Sequence, residues 1–199
     1  MENNNNINKN KEPIFNLKYK ITEEEYLYYN HLYASEEFRG KRKKANRTGI
    51  LELIIGTALI IFVLFTEMGR QNKGLFSILA ALGFGLGIYS LIFYRVIFPN
   101  SLTKSAKGYY QKSKYLTNEI ELTFYNNRLE EKAVETENVY KWNEIESFAK
   151  SEKLYFITIK GKRSILIPKK ALGDDKYILE EFFETVSKKY GKEYKEWKE

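Results

Sequence analysis

Apolar residues recur at strand or helix spacing along most of this chain, but between positions 49 and 98 they run together. The first run is Gly49 to Thr66 (GILELIIGTALIIFVLFT), the second Leu75 to Phe98 (LFSILAALGFGLGIYSLIFYRVIF), and a polar loop from Glu67 to Gly74 separates them. At ~1.5 Å rise per helical residue, each run approaches or exceeds the ~30 Å hydrocarbon core of a bilayer. The pattern predicts a transmembrane hairpin over 49–98, with spans 49–66 and 75–98 and an external loop 67–74.

The flanks follow other periods. Residues 1–12 begin with an Asn-rich tail (MENNNNINKNK), a composition expected to stay disordered. In 13–48, Phe15, Leu17, Tyr19 and Ile21 alternate with polar residues and predict a half-buried strand, which needs a sheet elsewhere to pair with. Thr22 to Ser35 reads as an amphipathic helix opened by a Thr22–Glu25 capping box, and a basic segment follows it. Residues 99–117 predict a basic juxtamembrane helix, with Pro99 in its first turn. From 118 to 199 the period becomes that of strands: Ile120–Phe124, a hairpin turn at Asn126-Asn127 using positive φ, Arg128–Thr136, Val139–Phe148, Leu154–Lys160, and Arg163–Pro168. Pro168, with no N–H to donate, ends that ladder. A helix over about 175–190 closes the chain, with Asp174 as its cap, a stripe of Ile178, Leu179, Phe182, Phe183, Val186 and Tyr190, and Gly191 as its stop. Trp142 and Ile145 are core candidates. The fold class is thus an α+β membrane protein: a two-helix transmembrane hairpin plus a small antiparallel β domain closed by a C-terminal amphipathic helix.

Charge adds an orientation. The formal net charge is +7. The densest basic runs flank the apolar stretches: Arg39, Lys41, Arg42, Lys43, Lys44 and Arg47 before the first, and Lys104 and Lys107 after the second. The positive-inside rule places both flanks and both termini in the cytoplasm. The expected location is the cell membrane, multi-pass, with the lipid bilayer as the first partner. Glu52 lies one turn from the basic end of its span, where it is expected to reach the interface and pair with Arg47. Gly83 and Gly87 form a GxxxG that Gly56 can face. This suits close packing inside the hairpin or, alternatively, self-association into a homo-oligomer.

The inventory of reactive groups is short. There is no cysteine and a single histidine, His31. Thiolate catalysis, disulfides and zinc–thiolate sites are excluded, and no P-loop, nucleophile triad or metalloprotease motif occurs. No enzyme activity, cofactor, metal site or nucleic-acid partner is expected.

The order Tyr140-Lys141-Trp142-Asn143-Glu144-Ile145, Leu154-Tyr155-Phe156 and Ile165-Leu166-Ile167-Pro168-Lys169-Lys170-Ala171-Leu172, placed after two central spans, resembles the YcxB-like bacterial membrane proteins. The strand and Glu-rich helix of positions 14–35 are similar to that family's N-terminal segment. The resemblance implies a pleckstrin-homology-like (PH-like) C-terminal domain and supplies no catalytic residues. Lys162, Arg163, Lys169 and Lys170 are then either solvated turn residues or contacts for anionic headgroups or a protein partner. The expected role is an interaction or scaffold protein presenting a PH-like domain at the inner leaflet. The alternative is a membrane stress sensor or a bacteriocin-immunity type of protection protein.

Overall fold

The computed structural model describes residues 12–161 and 163–198, with the side chain of Asp174 set aside. The Asn-rich tail to Lys11, Lys162 and the Asp174 cap lie outside the described residues. The chain divides into two compact units. One is made of residues up to Leu32 and from Ala106 onward; the other is Tyr33–Ser105, inserted in sequence within the first.

The first unit holds two sheets. β1 (Phe15–Tyr19), β2 (Ile120–Phe124), β3 (Arg128–Ala133) and β4 (Thr136–Lys141) form an antiparallel sheet in chain order. β1 therefore finds its partner across the insert, with Phe15 opposite Phe124 and Tyr19 opposite Ile120. Strict alternation aligns Leu17 and Tyr19 with Ile120, Leu122 and Phe124 on one buried face. The second sheet runs β7 (Ser164–Pro168), β6 (Leu154–Ile159), β5 (Ile145–Lys150) and β8 (Glu193–Glu196), with β8 parallel to β5. β6 reads as a continuous apolar run because both its faces are covered. Tyr155 meets Phe183 of α7 (Lys176–Tyr190), while Phe156 meets Tyr29 of α1 (Glu23–Glu37) and Trp197.

Local chemistry explains the joints. Thr22 and Glu25 form the expected capping box, with Thr22 N donating to Glu25 Oε2 at 2.8 Å and Glu25 N to Thr22 Oγ1 at 3.3 Å. Trp142 and Ile145 are fully buried, and Trp142 Nε1 donates to the Tyr125 carbonyl at 3.1 Å. Gly191 ends α7 at φ 61°, a left-handed conformation that glycine adopts without a Cβ clash. Asp175 holds the N-cap position without a side-chain bond.

Several expectations need correction. The turn at Asn126-Asn127 closes with Tyr125 N donating to Arg128 O at 2.9 Å, but neither asparagine has positive φ; that conformation belongs to Glu135, at φ 66°. Glu135 marks the turn that ends β3 at Ala133, so the break expected after Thr136 falls three residues earlier. The segment 139–148 is not one strand: a 3-10 turn at Trp142–Glu144 moves the chain from the first sheet to the second. β8 was not expected, because Glu193–Glu196 carries little apolar signal and is held by pairing with β5.

The second unit centres on two long apolar helices. α2 (Arg39–Phe65) begins ten residues earlier than the apolar run, so the basic segment is helical and continuous with it. The expected loop contains a short helix, α3 (Glu67–Gln71), capped by Thr66, whose Oγ1 accepts from Gly69 N at 2.9 Å. α4 (Lys73–Ile92) continues through a π-helical turn (Phe93–Ile97) into α5 (Phe98–Lys112); α6 (Lys114–Thr117) follows. Pro99 does lie in the first turn of α5, yet the helix does not start there. Its missing N–H would leave a carbonyl one turn back unpaired, and the π turn, with Phe98 N donating to Phe93 O, absorbs that irregularity.

Candidate functional site

The polar centre of the first unit forms around Glu131. Alternation along β3 puts Glu131 on the same buried face as Leu129, and its side chain is fully enclosed. Tyr115 Oη donates to its Oε1 at 2.6 Å. Asn138 Nδ2 and Tyr140 Oη each donate to Oε2 at 3.2 Å, and Arg163 Nη2 does so at 2.5 Å. The Arg163 guanidinium also stacks 3.8 Å from the Tyr115 ring centroid. Burial works against the Arg163 charge, but Tyr115 and Glu131 outweigh it and hold the group above its ordinary range. Burial, then the Glu131 carboxylate, pushes Tyr140 up to about 12 and Tyr115 higher still. A carboxylate offers about four lone-pair sites, two per oxygen; three donors crowd onto Oε2 and one reaches Oε1. The four donors tie α6, β4 and the start of β7 to β3 through one carboxylate.

A second ionic group lies at the start of α7. Lys150 pairs with Glu180, and Tyr155 Oη donates to Glu180 at 3.1 Å. The Lys150 hydrogen bond holds the Glu180 carboxyl below its usual range despite burial. Lys169 Nζ sits 4.8 Å over the Tyr155 ring, and burial lowers its pKa.

Three of the four sequence-derived contact residues thus have intramolecular neighbours, the fourth, Lys162, lying outside the described residues. Arg163 turns inward to Glu131, Lys169 lies over Tyr155, and Lys170 pairs with Glu25 at 2.9 Å. The sequence missed Glu131 itself: in Arg-Leu-Glu-Glu-Lys-Ala it is one of two adjacent acids, and only strand parity distinguishes the buried one. A shallow groove of about 320 Å³ on β2–β4 is lined by acids such as Glu121, Glu130 and Glu137. Among the described residues no group of His, Asp and Glu is placed to hold a metal.

In the second unit the glycines form a seam. A Cβ on Gly49 would meet Gly87 O at 2.9 Å, one on Gly87 would meet Leu53 Cγ at 2.8 Å, and one on Gly83 would meet Glu52 O at 3.2 Å. Gly56 faces Phe84 and Ala80 O. Gly56, Gly83 and Gly87 therefore pack α2 against α4, and the Gly83–Gly87 face is occupied within the hairpin rather than open for self-association. Glu52 also departs from expectation. Its hydrogen bond runs across the seam, from Ser90 Oγ at 3.3 Å, and among the described residues it does not pair with Arg47.

Of the flanking bases, Arg39 pairs with Glu36, Lys107 with Glu23 at 3.5 Å, and Lys41 sits 4.9 Å over the Phe38 ring. Lys43, Lys44 and Arg47 are exposed and make no ion pair with any described residue. Arg42 and Lys104 also project from their helices into solvent.

With this geometry in place, comparison with known families is decisive for one segment. Residues 124–190 match the family model of the YcxB-like protein. The YcxB-like segment begins at the end of β2, takes in β3 through β7, and stops at the last residue of α7. It contains Glu131, Tyr140 and Arg163, and bears out the resemblance read from the Trp142–Ile145 and Pro168–Lys170 stretches. Neither the curated proteins nor the solved structures yielded a match.

Proposed function

We propose that the protein is a membrane-anchored, non-catalytic interaction or scaffold protein. In this reading α2 and α4 cross the bilayer as a hairpin, both flanks are cytoplasmic, and the YcxB-like unit is a PH-like module working at the inner leaflet. One observation carries the reading: each long apolar helix has only 11% of its most apolar window buried. A core helix of a water-soluble protein hides such a surface; a helix solvated by lipid does not need to. The distribution of bases around the hairpin supports the orientation. Two four-stranded sheets, antiparallel except for the β5–β8 pair, with Phe182 and Phe183 of α7 packed on them, agree with the PH-like reading. Confinement to the membrane raises the effective concentration of such a module toward other membrane proteins.

The absence of native cysteine makes the test simple. Single cysteines at Asn72 and Glu193 are treated with a membrane-impermeant maleimide in intact cells and after lysis. Asn72→Cys should label in intact cells and Glu193→Cys only after lysis. The reverse pattern, or release of the protein from membranes by alkaline carbonate, overturns the reading. Cross-linking from Glu193→Cys, followed by mass spectrometry, then asks for the partner; adducts restricted to bulk lipid and random neighbours argue against a scaffold.

A further inference from the structure

We propose that the N-terminal half of α2 is a binding site for an anionic phospholipid. The proposal rests on the membrane reading above. Gly40, Lys43, Lys44, Arg47, Thr48, Leu51 and Ile54 recur at three- and four-residue spacing and so form one stripe along α2. With Ile50 they border an open, one-walled space of about 890 Å³ along the helix. The stripe changes character along its length. Its first half is three cations and a hydroxyl, with no acid among them; its second half is Ile50, Leu51 and Ile54, exposed at 53%, 56% and 59%. Gly40 leaves open space at the polar end, since a Cβ there would meet nothing within 4 Å.

This is the two-part chemistry of a phospholipid. A phosphodiester at Lys43, Lys44 and Arg47 would gain charge-assisted hydrogen bonds, with the Thr48 hydroxyl as a further donor. An acyl chain would lie along Ile50, Leu51 and Ile54. A free phosphate would use the first half alone and leave the apolar half unexplained, so the occupant is the lipid. These cations are also available, whereas Arg39, Lys41 and Lys107 on the same flanks have partners within the protein.

The full chain is reconstituted into nanodiscs of phosphatidylcholine containing a minor fraction of phosphatidylglycerol, and co-purifying lipid is measured by native mass spectrometry. Phosphatidylglycerol should be enriched over its bulk fraction. Lys43→Gln/Lys44→Gln/Arg47→Gln should lose that enrichment by about tenfold or more, on the scale of roughly fivefold per basic residue at an anionic surface. Arg42→Gln/Lys104→Gln/Lys112→Gln removes the same charge outside the stripe and should retain most of it. Equal losses in the two triple variants would mean a diffuse surface potential and overturn the site. An unenriched wild type in well-formed nanodiscs would also overturn it while leaving the membrane reading intact. Failure of the wild type to enter nanodiscs would refute the membrane reading itself and, with it, the site. Inorganic phosphate added in excess should not displace the lipid; displacement would show a plain anion site instead.

Discussion

Glu131 shows how one side chain can decide the behaviour of its unit. Its carboxylate is enclosed and receives Tyr115, Asn138, Tyr140 and Arg163. Removing one partner of such a pair leaves the other charge buried and uncompensated. Glu131→Ala should therefore cost about 3 kcal/mol, the low end of the range for broken buried pairs, because 38% of the Arg163 side chain still reaches solvent. Urea unfolding monitored by Trp fluorescence measures this, and Glu131→Met/Arg163→Leu should be less damaging than either single change. The surrounding tyrosines set an alkaline limit. Burial first, then Glu131, keeps Tyr140 and Tyr115 protonated in the folded state beyond the ordinary tyrosine value. A group whose folded pKa is raised contributes stability that is complete below the unfolded value, about 10, and is lost as pH rises past it. Tyrosinate absorbance and loss of circular dichroism should rise together above about pH 10; ionisation of these tyrosines in a fully folded unit would contradict the burial.

At the level of elements, the glycine seam between α2 and α4 separates positions that look alike in sequence. Gly87→Val places atoms where Leu53 and Gly49 already stand, whereas a Cβ on Gly85 meets nothing within 4 Å. Gly87→Val should lower the thermal stability of the detergent-solubilised protein by several degrees, about the size expected for overpacking of 1–3 kcal/mol. Gly85→Val should leave it unchanged. Much of this level was legible in the residues. The apolar runs located both long helices, alternation located β1 and β2, Thr22–Glu25 opened α1, and Pro168 and Gly191 ended their elements as read. What was hidden depends on pairing rather than pattern. Glu135 is an unusual residue for a left-handed turn, so the turn between β3 and β4 was expected a few residues too late. β8 is polar and exists because β5 offers it an edge. The inward turn of Arg163 needed a buried acid that only the register of β3 reveals.

At the level of the whole molecule, the first unit draws on both ends of the chain. β1 supplies an edge of one sheet, and Tyr29 of α1 covers Phe156 in the other. The YcxB-like match, 124–190, contains neither. A fragment trimmed to that match should therefore expose Phe124 and Phe156 and aggregate, whereas residues 12–32 joined by a short flexible linker to 106–199 should give a soluble, monodisperse unit. Size-exclusion chromatography separates the outcomes, and good behaviour of the trimmed fragment would show that β1 and α1 are dispensable.

The placement of β1 also imposes an order on synthesis. Tyr19 leaves the ribosome roughly a hundred residues before its partner Ile120, a delay of ~5–20 s at ~5–20 residues per second. Throughout that interval the strand has no mate, while both long apolar helices emerge. The sheet can close only after the whole insert has been made, so a nascent chain stalled before Ile120 cannot complete it.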